Sequence, residues 1–205
     1  TFSLLKAHRP PFVLMWGEAA GRSDVVGFDE HEAADLVIEH LYQLGHRTIA
    51  FVGGRTVANE RALMRRKAVS EATRSREMIL PRDAVVETEY GFREGYDAVR
   101  GLLDGSREFT AVVLGNDYLA AGAVAVLGEH GVRVPEELSV VSFNDNDFAA
   151  FLRPSLTTVR LPIAAIGQEA ARYLVGKLGD APTRAPTRLP VELIVRASTG
   201  PRSAR

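Results

Sequence analysis

The chain of 205 residues contains no cysteine. Disulfides, thiolate zinc sites and cysteine nucleophiles are therefore excluded. No apolar run approaches the ~18 residues that cross a membrane as a helix. The opening, "TFSLLKAHRPPFV", has neither the basic start nor the continuous apolar core of a signal peptide. Neither sign of charge is in excess: 25 basic residues stand against 26 acidic ones, a net charge of −1. Nucleic-acid-binding domains usually carry a basic surplus, so this chain by itself does not have the composition of one. Its five histidines are scattered and form no metal-ligand pair. "FVGGRT" (51–56) has neither GxGxxG nor P-loop spacing, which argues against a phosphate cradle. No Ser–His–acid or paired-carboxylate arrangement can be defended from spacing. No catalytic residue, metal or cofactor is expected.

What the chain does have is a regular alternation of strand and helix signals. Apolar residues make up 46% of it, enough for a sizeable core. "PFVLMW" (11–16), "DVVGF" (24–28), "RTIAFVGG" (47–54), "DAVVET" (83–88), "FTAVVLG" (109–115), "LSVVSF" (138–143) and "LPVELIVR" (189–196) read as strands. Between them, Ala33, Val37, Leu41 and Leu44 share one helical face over 31–44, and Gly45 supplies the end. Further helices are predicted over 59–76, 92–103, 116–130 and 162–178. The alternation predicts an open, parallel α/β sheet, with helices on both faces of its most apolar strands. "GDAPTRAPTR" (179–188) reads as a linker.

In such sheets ligands bind beyond the carboxyl ends of the strands. Strand 138–143 delivers Asn144 and Asp145 there, strand 109–114 delivers Asn116 and Asp117, and strand 48–52 delivers Gly53 and Gly54. Amides and carboxylates suit a hydroxyl-rich ligand. On local chemistry, turn and helix-cap roles come first for these residues. The basic helix over 59–76 reads as a solvated face, and nothing local separates Arg61 from Arg65, Arg66 or Arg74.

Taken together, "HLYQLGHRTIAFVGG", "AVVLGNDYLAAGAVAVLGEHGVRVPEELSVVSFND", "PSLTTV" and "LPVELIVRAST" resemble the lac repressor–galactose repressor family of bacterial transcription regulators. The resemblance runs in order over nearly the whole chain and corresponds to the family's ligand-sensing core. It implies a periplasmic-binding-protein-like type I architecture of two Rossmann-like lobes joined by three crossovers, with the first lobe incomplete. The lobes are expected to be 1–53 plus 162–189 and 54–161 plus 190–205. It also implies an effector-binding role in the interlobe cleft for a sugar or sugar derivative, no enzymatic activity, a homodimer and a cytoplasmic location with no membrane partner. Operator DNA would be bound through an N-terminal domain not in this chain, and the parent protein is expected to be longer. A periplasmic sugar-binding protein of the same architecture is the alternative.

Carried over position by position, the family pattern points to Arg61, Tyr90, Asn116 and Asn144 as effector-binding residues. Glu32 and Ile163 are lesser wall candidates, with solvated helix face and core packing as their competing roles. Two departures stand out. Met64 and Arg65 replace a glycine and an aromatic, and Asn144 replaces an aspartate. An arginine deprived of its carboxylate would favour an acidic or phosphorylated sugar. The tail, "VRASTGPRSAR", has no leucine heptads and is expected to fray.

Overall fold

"AVVL" at 111–114 is apolar at every position, and a strand can hide such a run only if both of its faces are covered. In the computed structural model, which describes residues 11–16, 24–105, 108–179 and 188–202, it is fully buried. It forms one strand of a six-stranded sheet in the order β4-β3-β5-β6-β7-β8. The strands are β3 (Ile49–Gly54), β4 (Val85–Thr88), β5 (Ala111–Leu114), β6 (Ser139–Asn144), β7 (Thr157–Arg160) and β8 (Glu192–Ile194). All adjacent pairs are parallel except β7 with β8, which is antiparallel. The sheet is thus mostly parallel, as expected, with an antiparallel edge strand that periodicity does not distinguish. Strand β7 was not anticipated either. Its run of Thr157, Thr158 and Val159 is short and half polar, and the two threonines are buried only because their hydroxyls find partners.

Four helices pack on this sheet: α1 (Glu30–Gln43), α2 (Glu60–Ser75), α3 (Phe92–Asp104) and α4 (Asp117–Glu129). They associate as two pairs, α1 with α2 and α3 with α4. Alternate strand residues Ala50, Val52, Val112, Leu114 and Val140 join Val99, Leu102, Leu119 and Val126 of α3 and α4 in one buried cluster. Their neighbours along each strand point to the opposite face. The α3–α4 contact is close because Gly95 and Gly122 have no side chains; a Cβ on either would run into backbone of the other helix.

The chain divides into two compact units, Glu30–Arg160 with Glu192–Arg205, and Thr1–Asp29 with Leu161–Val191. The first division therefore falls before Glu30, not near residue 53. The reason lies in the pairing: β3 is bonded to both β4 and β5, so residues 49–54, and the helix that precedes them, are integral to the larger sheet. In the smaller unit, β1 (Leu14–Met15) pairs parallel with β2 (Val25–Val26), and α5 (Ile163–Leu178) packs on both. Asp29 is ion-paired with Arg188 at 2.8 Å, and the Leu189 N–H donates to the Gly27 carbonyl.

The expected fraying of the tail is corrected for residues up to 202. Ser198 is fully buried, the Gly200 N–H donates to the Ser139 hydroxyl, and the Arg202 N–H donates to the Leu44 carbonyl. The "GH" of "LGHRTIAF" explains the anchorage. Gly45 adopts φ +88°, and the following His46 is buried between Thr110, Ser139 and the Gly200 carbonyl. A carbonyl only accepts, so Nε2 of His46 carries the proton and Nδ1 accepts from the Thr110 hydroxyl. Burial pushes the His46 pKa down, which keeps the ring neutral. The expectations for 1–10 and for most of the 179–188 linker lie outside the described residues.

Candidate ligand site on the larger unit

Numbered within the larger unit, the five parallel strands run in the order 2-1-3-4-5. A doubly wound sheet of that order opens a crevice at its switch point, between the carboxyl ends of strands 1 and 3. Here those are β3 and β5, which end at Gly54 and Leu114. The crevice floor is built from glycine. A Cβ on Gly115 would sit 3.1 Å from the Gly53 Cα and 3.2 Å from the Tyr90 ring, and one on Gly54 would sit 2.5 Å from that same ring. The Tyr90 ring therefore lies across both strand ends. It is 40% exposed, and its hydroxyl has no hydrogen-bond partner among the described residues.

Asn116 is the N-cap of α4: its Oδ1 accepts from the Leu119 N–H at 2.9 Å. The expected capping role is present, yet it uses only the oxygen. The Nδ2 amide has no partner among the described residues. Asn144 ends β6 with φ +116°, and Asp145 follows with φ +59°. Two consecutive non-glycine residues at positive φ are costly and persist only where the surroundings enforce them. The enforcement comes from the rest of "NDND". Asp145 is gripped by Arg160 Nε at 2.8 Å and Arg196 Nη2 at 2.7 Å. The Asn146 N–H donates to the Asp117 carboxylate at 2.6 Å. Asp117 in turn accepts from the Ser142 and Thr158 hydroxyls and is wholly buried, and burial pushes its carboxyl above the usual range. Asp145 and Asp117 are thus structural, and the Asn144 side chain itself makes no hydrogen bond among the described residues.

Arg61 lies in the first turn of α2, exposed at the same sheet edge, and it has an interaction partner. One helical turn on, Arg65 is buried. Its Nε and Nη2 donate to the two Glu30 oxygens at 2.9 and 2.8 Å, and its Nη1 donates to the Gly115 carbonyl at 2.7 Å. Its guanidinium also stacks 4.6 Å above the Phe143 ring. Sequence reasoning missed this residue as a part of the site. The only local signal was an arginine in place of an aromatic, and its partner Glu30 is 35 positions away. Arg65 is paired with Glu30, and Arg61 also has an interaction partner, so neither is a free arginine on which an acidic effector could be inferred. Of the lesser candidates, Glu32 is exposed on α1, while Ile163 opens α5 in the smaller unit and is 45% exposed.

The structure thus brings Arg61, Tyr90, Asn116 and Asn144 to the carboxyl-end rim of one sheet. Among the described residues no cluster of His, Asp and Glu could hold a metal, and no helix is long and apolar enough to cross a membrane.

The model of the periplasmic binding protein-like domain matches residues 38–199. A LacI family transcriptional regulator from Enterococcus faecium, solved with bound ribose, is 30% identical with a TM-score of 0.83, over 97% of this chain and 74% of that one. The chain belongs to the LacI family. Its resemblance to other LacI-type regulators extends over nearly its full length. A sugar-binding LacI family regulator from Escherichia coli, complexed with phosphate, has a TM-score of 0.90 at 26% identity, covering 98% of this chain and 72% of that one. The HTH-type transcriptional regulator MalR of Streptomyces coelicolor is 33% identical over 204 residues, 97% of this chain. This LacI family chain spans 58% of the length of that relative. These relatives are transcriptional regulators, and the transport alternative is not favoured.

Proposed function

We propose that the chain is the effector-sensing core of a LacI-type bacterial transcriptional regulator. Its effector is a small sugar or sugar derivative that binds over the β3–β5 switch point. The observation that carries this reading is the uncommitted chemistry on that rim: one exposed aromatic face and the amides of Asn116 and Asn144, set around a glycine floor. The ring stacks on the apolar face of the sugar while the amides address its hydroxyls, Asn144 with a donor and an acceptor and Asn116 with its free Nδ2 donor, its oxygen being held in the cap. Arg61 adds a charged donor from α2. Because Arg65 is already neutralised by Glu30, the sugar need not bring a negative charge.

The protein acts by binding and not by catalysis, in the cytoplasm and without a membrane partner. Effector binding shifts the population between two states of the core through its differential affinity for them. A DNA-binding segment outside this chain reads that shift at the operator. The core works as a homodimer. Support for this comes from a surface cluster in which Phe92, Tyr118 and Phe148 stack edge to face or tilted at 5.0 to 5.8 Å, and from Phe151, in the same short 3-10 helix as Phe148 and 77% exposed. Sedimentation velocity reports the dimer directly.

The test of the effector reading is a thermal-shift screen against neutral sugars, sugar acids, sugar phosphates and purines, since a ligand that prefers the folded state raises its melting temperature. A neutral sugar is expected to do so, and Tyr90→Ala and Asn144→Ala to remove the shift. If purines alone raise it, or if the best sugar acts equally on both variants, the reading fails.

A further inference from the structure

A single guanidinium, that of Arg65, touches three places that matter to the rim. It holds Glu30, the residue at which the chain enters the larger unit. It donates to the Gly115 carbonyl, immediately before Asn116. It stacks on Phe143, immediately before Asn144. The pair is nearly out of solvent, with side-chain exposures of 11% for Arg65 and 6% for Glu30. A buried ion pair is weak evidence for stability, because well-packed apolar residues of similar volume often do as well or better. What apolar side chains cannot supply is a planar, charged fork that bonds a carboxylate with two nitrogens and a backbone carbonyl with the third.

We propose that Arg65 and Glu30 are positioning residues. They fix the Gly115–Asn116 peptide and the end of β6, and so set the geometry of the effector rim relative to the chain's point of entry into the unit. This rests on the reading of Asn116 and Asn144 as effector contacts, but its test needs no effector. Three amides report on the rim: Gly115, which donates to the Val52 carbonyl, Leu119, which donates to Asn116 Oδ1, and Asn146, which donates to Asp117. Their hydrogen exchange is measured beside global stability in urea, for the wild type, Glu30→Gln, Arg65→Lys and the double variant Glu30→Leu/Arg65→Met.

Both single variants are expected to speed exchange at these amides at least tenfold more than at the core amides of Val112 and Val140. In the double variant, urea stability returns to the wild-type value while the three rim amides still exchange at least tenfold faster. That split separates positioning from mere support, and it persists if the single variants do not fold. The proposal is overturned if rim exchange follows global stability in every variant, with the double variant as protected as the wild type. A failed sugar screen with the split intact would sink the effector reading and leave the positioning role standing.

Discussion

Replacing Gly54 by alanine separates the shape of the rim from the stability of the fold. A Cβ at this position would lie 2.5 Å from the Tyr90 ring, whereas ordinary contact begins at 3.4 Å, so the ring must retreat by about 0.9 Å. The ring is free to do so, being 40% exposed and unbonded at its hydroxyl among the described residues. Displacement of a side chain from its preferred rotamer costs about 0.5–1.5 kcal/mol. Alanine recovers roughly 0.5–1 kcal/mol of that, because glycine loses more conformational freedom on folding. The net change in unfolding free energy is therefore within about 1 kcal/mol. The site, however, loses its stacking surface, and aromatic contacts are worth about 0.5–1.5 kcal/mol beyond their area. That corresponds to roughly a two- to twelvefold weaker affinity, at 1.4 kcal/mol per factor of ten. Urea unfolding gives the first number, and calorimetric titration with the best sugar from the screen gives the second. Wild-type affinity in Gly54→Ala, or a stability loss above about 3 kcal/mol, would refute the placement of the Tyr90 ring over the strand end.

Four further outcomes follow from the structure. In Gly122→Ala the new Cβ meets α3 backbone and is expected to cost about 1–3 kcal/mol by overpacking; Gly101→Ala, with nothing within 4 Å, should stabilise by about 0.5–1 kcal/mol in the same urea assay. Asn144→Gly relieves the strain at φ +116° and should raise stability by about 1 kcal/mol while weakening sugar binding, checked by urea unfolding and calorimetry. His46 and His40 have pKa values lowered by burial, so between those values and about 6.5 the unfolded chain binds more protons than the folded one. Their stabilisation is present above pH ~6.5 and falls as the pH drops; in His46→Gln that slope should shrink by up to about 1.4 kcal/mol per pH unit, read from urea unfolding between pH 7 and 5.

The strands and helices of the larger unit were legible because their apolar runs and 3.6-residue stripes are strong. β7 was not, because its buried threonines depend on partners from elsewhere: Thr158 on Asp117, and Thr157 on Ser198 and Thr199. The division before Glu30 was hidden for a similar reason, since no local signal says that β3 is the strand on which both neighbours build. At the site, strand ends pointed to Asn116, Asp117, Asn144 and Asp145, and the family resemblance singled out Asn116 and Asn144, but not which atoms stay free. That depends on Asn116 spending one oxygen on a cap, and on Asp145 being gripped by two arginines. Arg65 was invisible as a part of the rim because a basic helix reads as solvated until its buried partner, Glu30, is known.

The chain contains only four asparagines, Asn59, Asn116, Asn144 and Asn146. Selective ¹⁵N-asparagine labelling therefore reduces the side-chain amide spectrum to four pairs, two of them on the proposed contact surface. Titrated with the sugar that raises the melting temperature most, the Asn116 and Asn144 pairs should shift together and saturate at one affinity, while Asn59, the cap of α2, stays in place. Saturable binding that leaves both of those pairs unmoved would put the effector somewhere other than the β3–β5 rim.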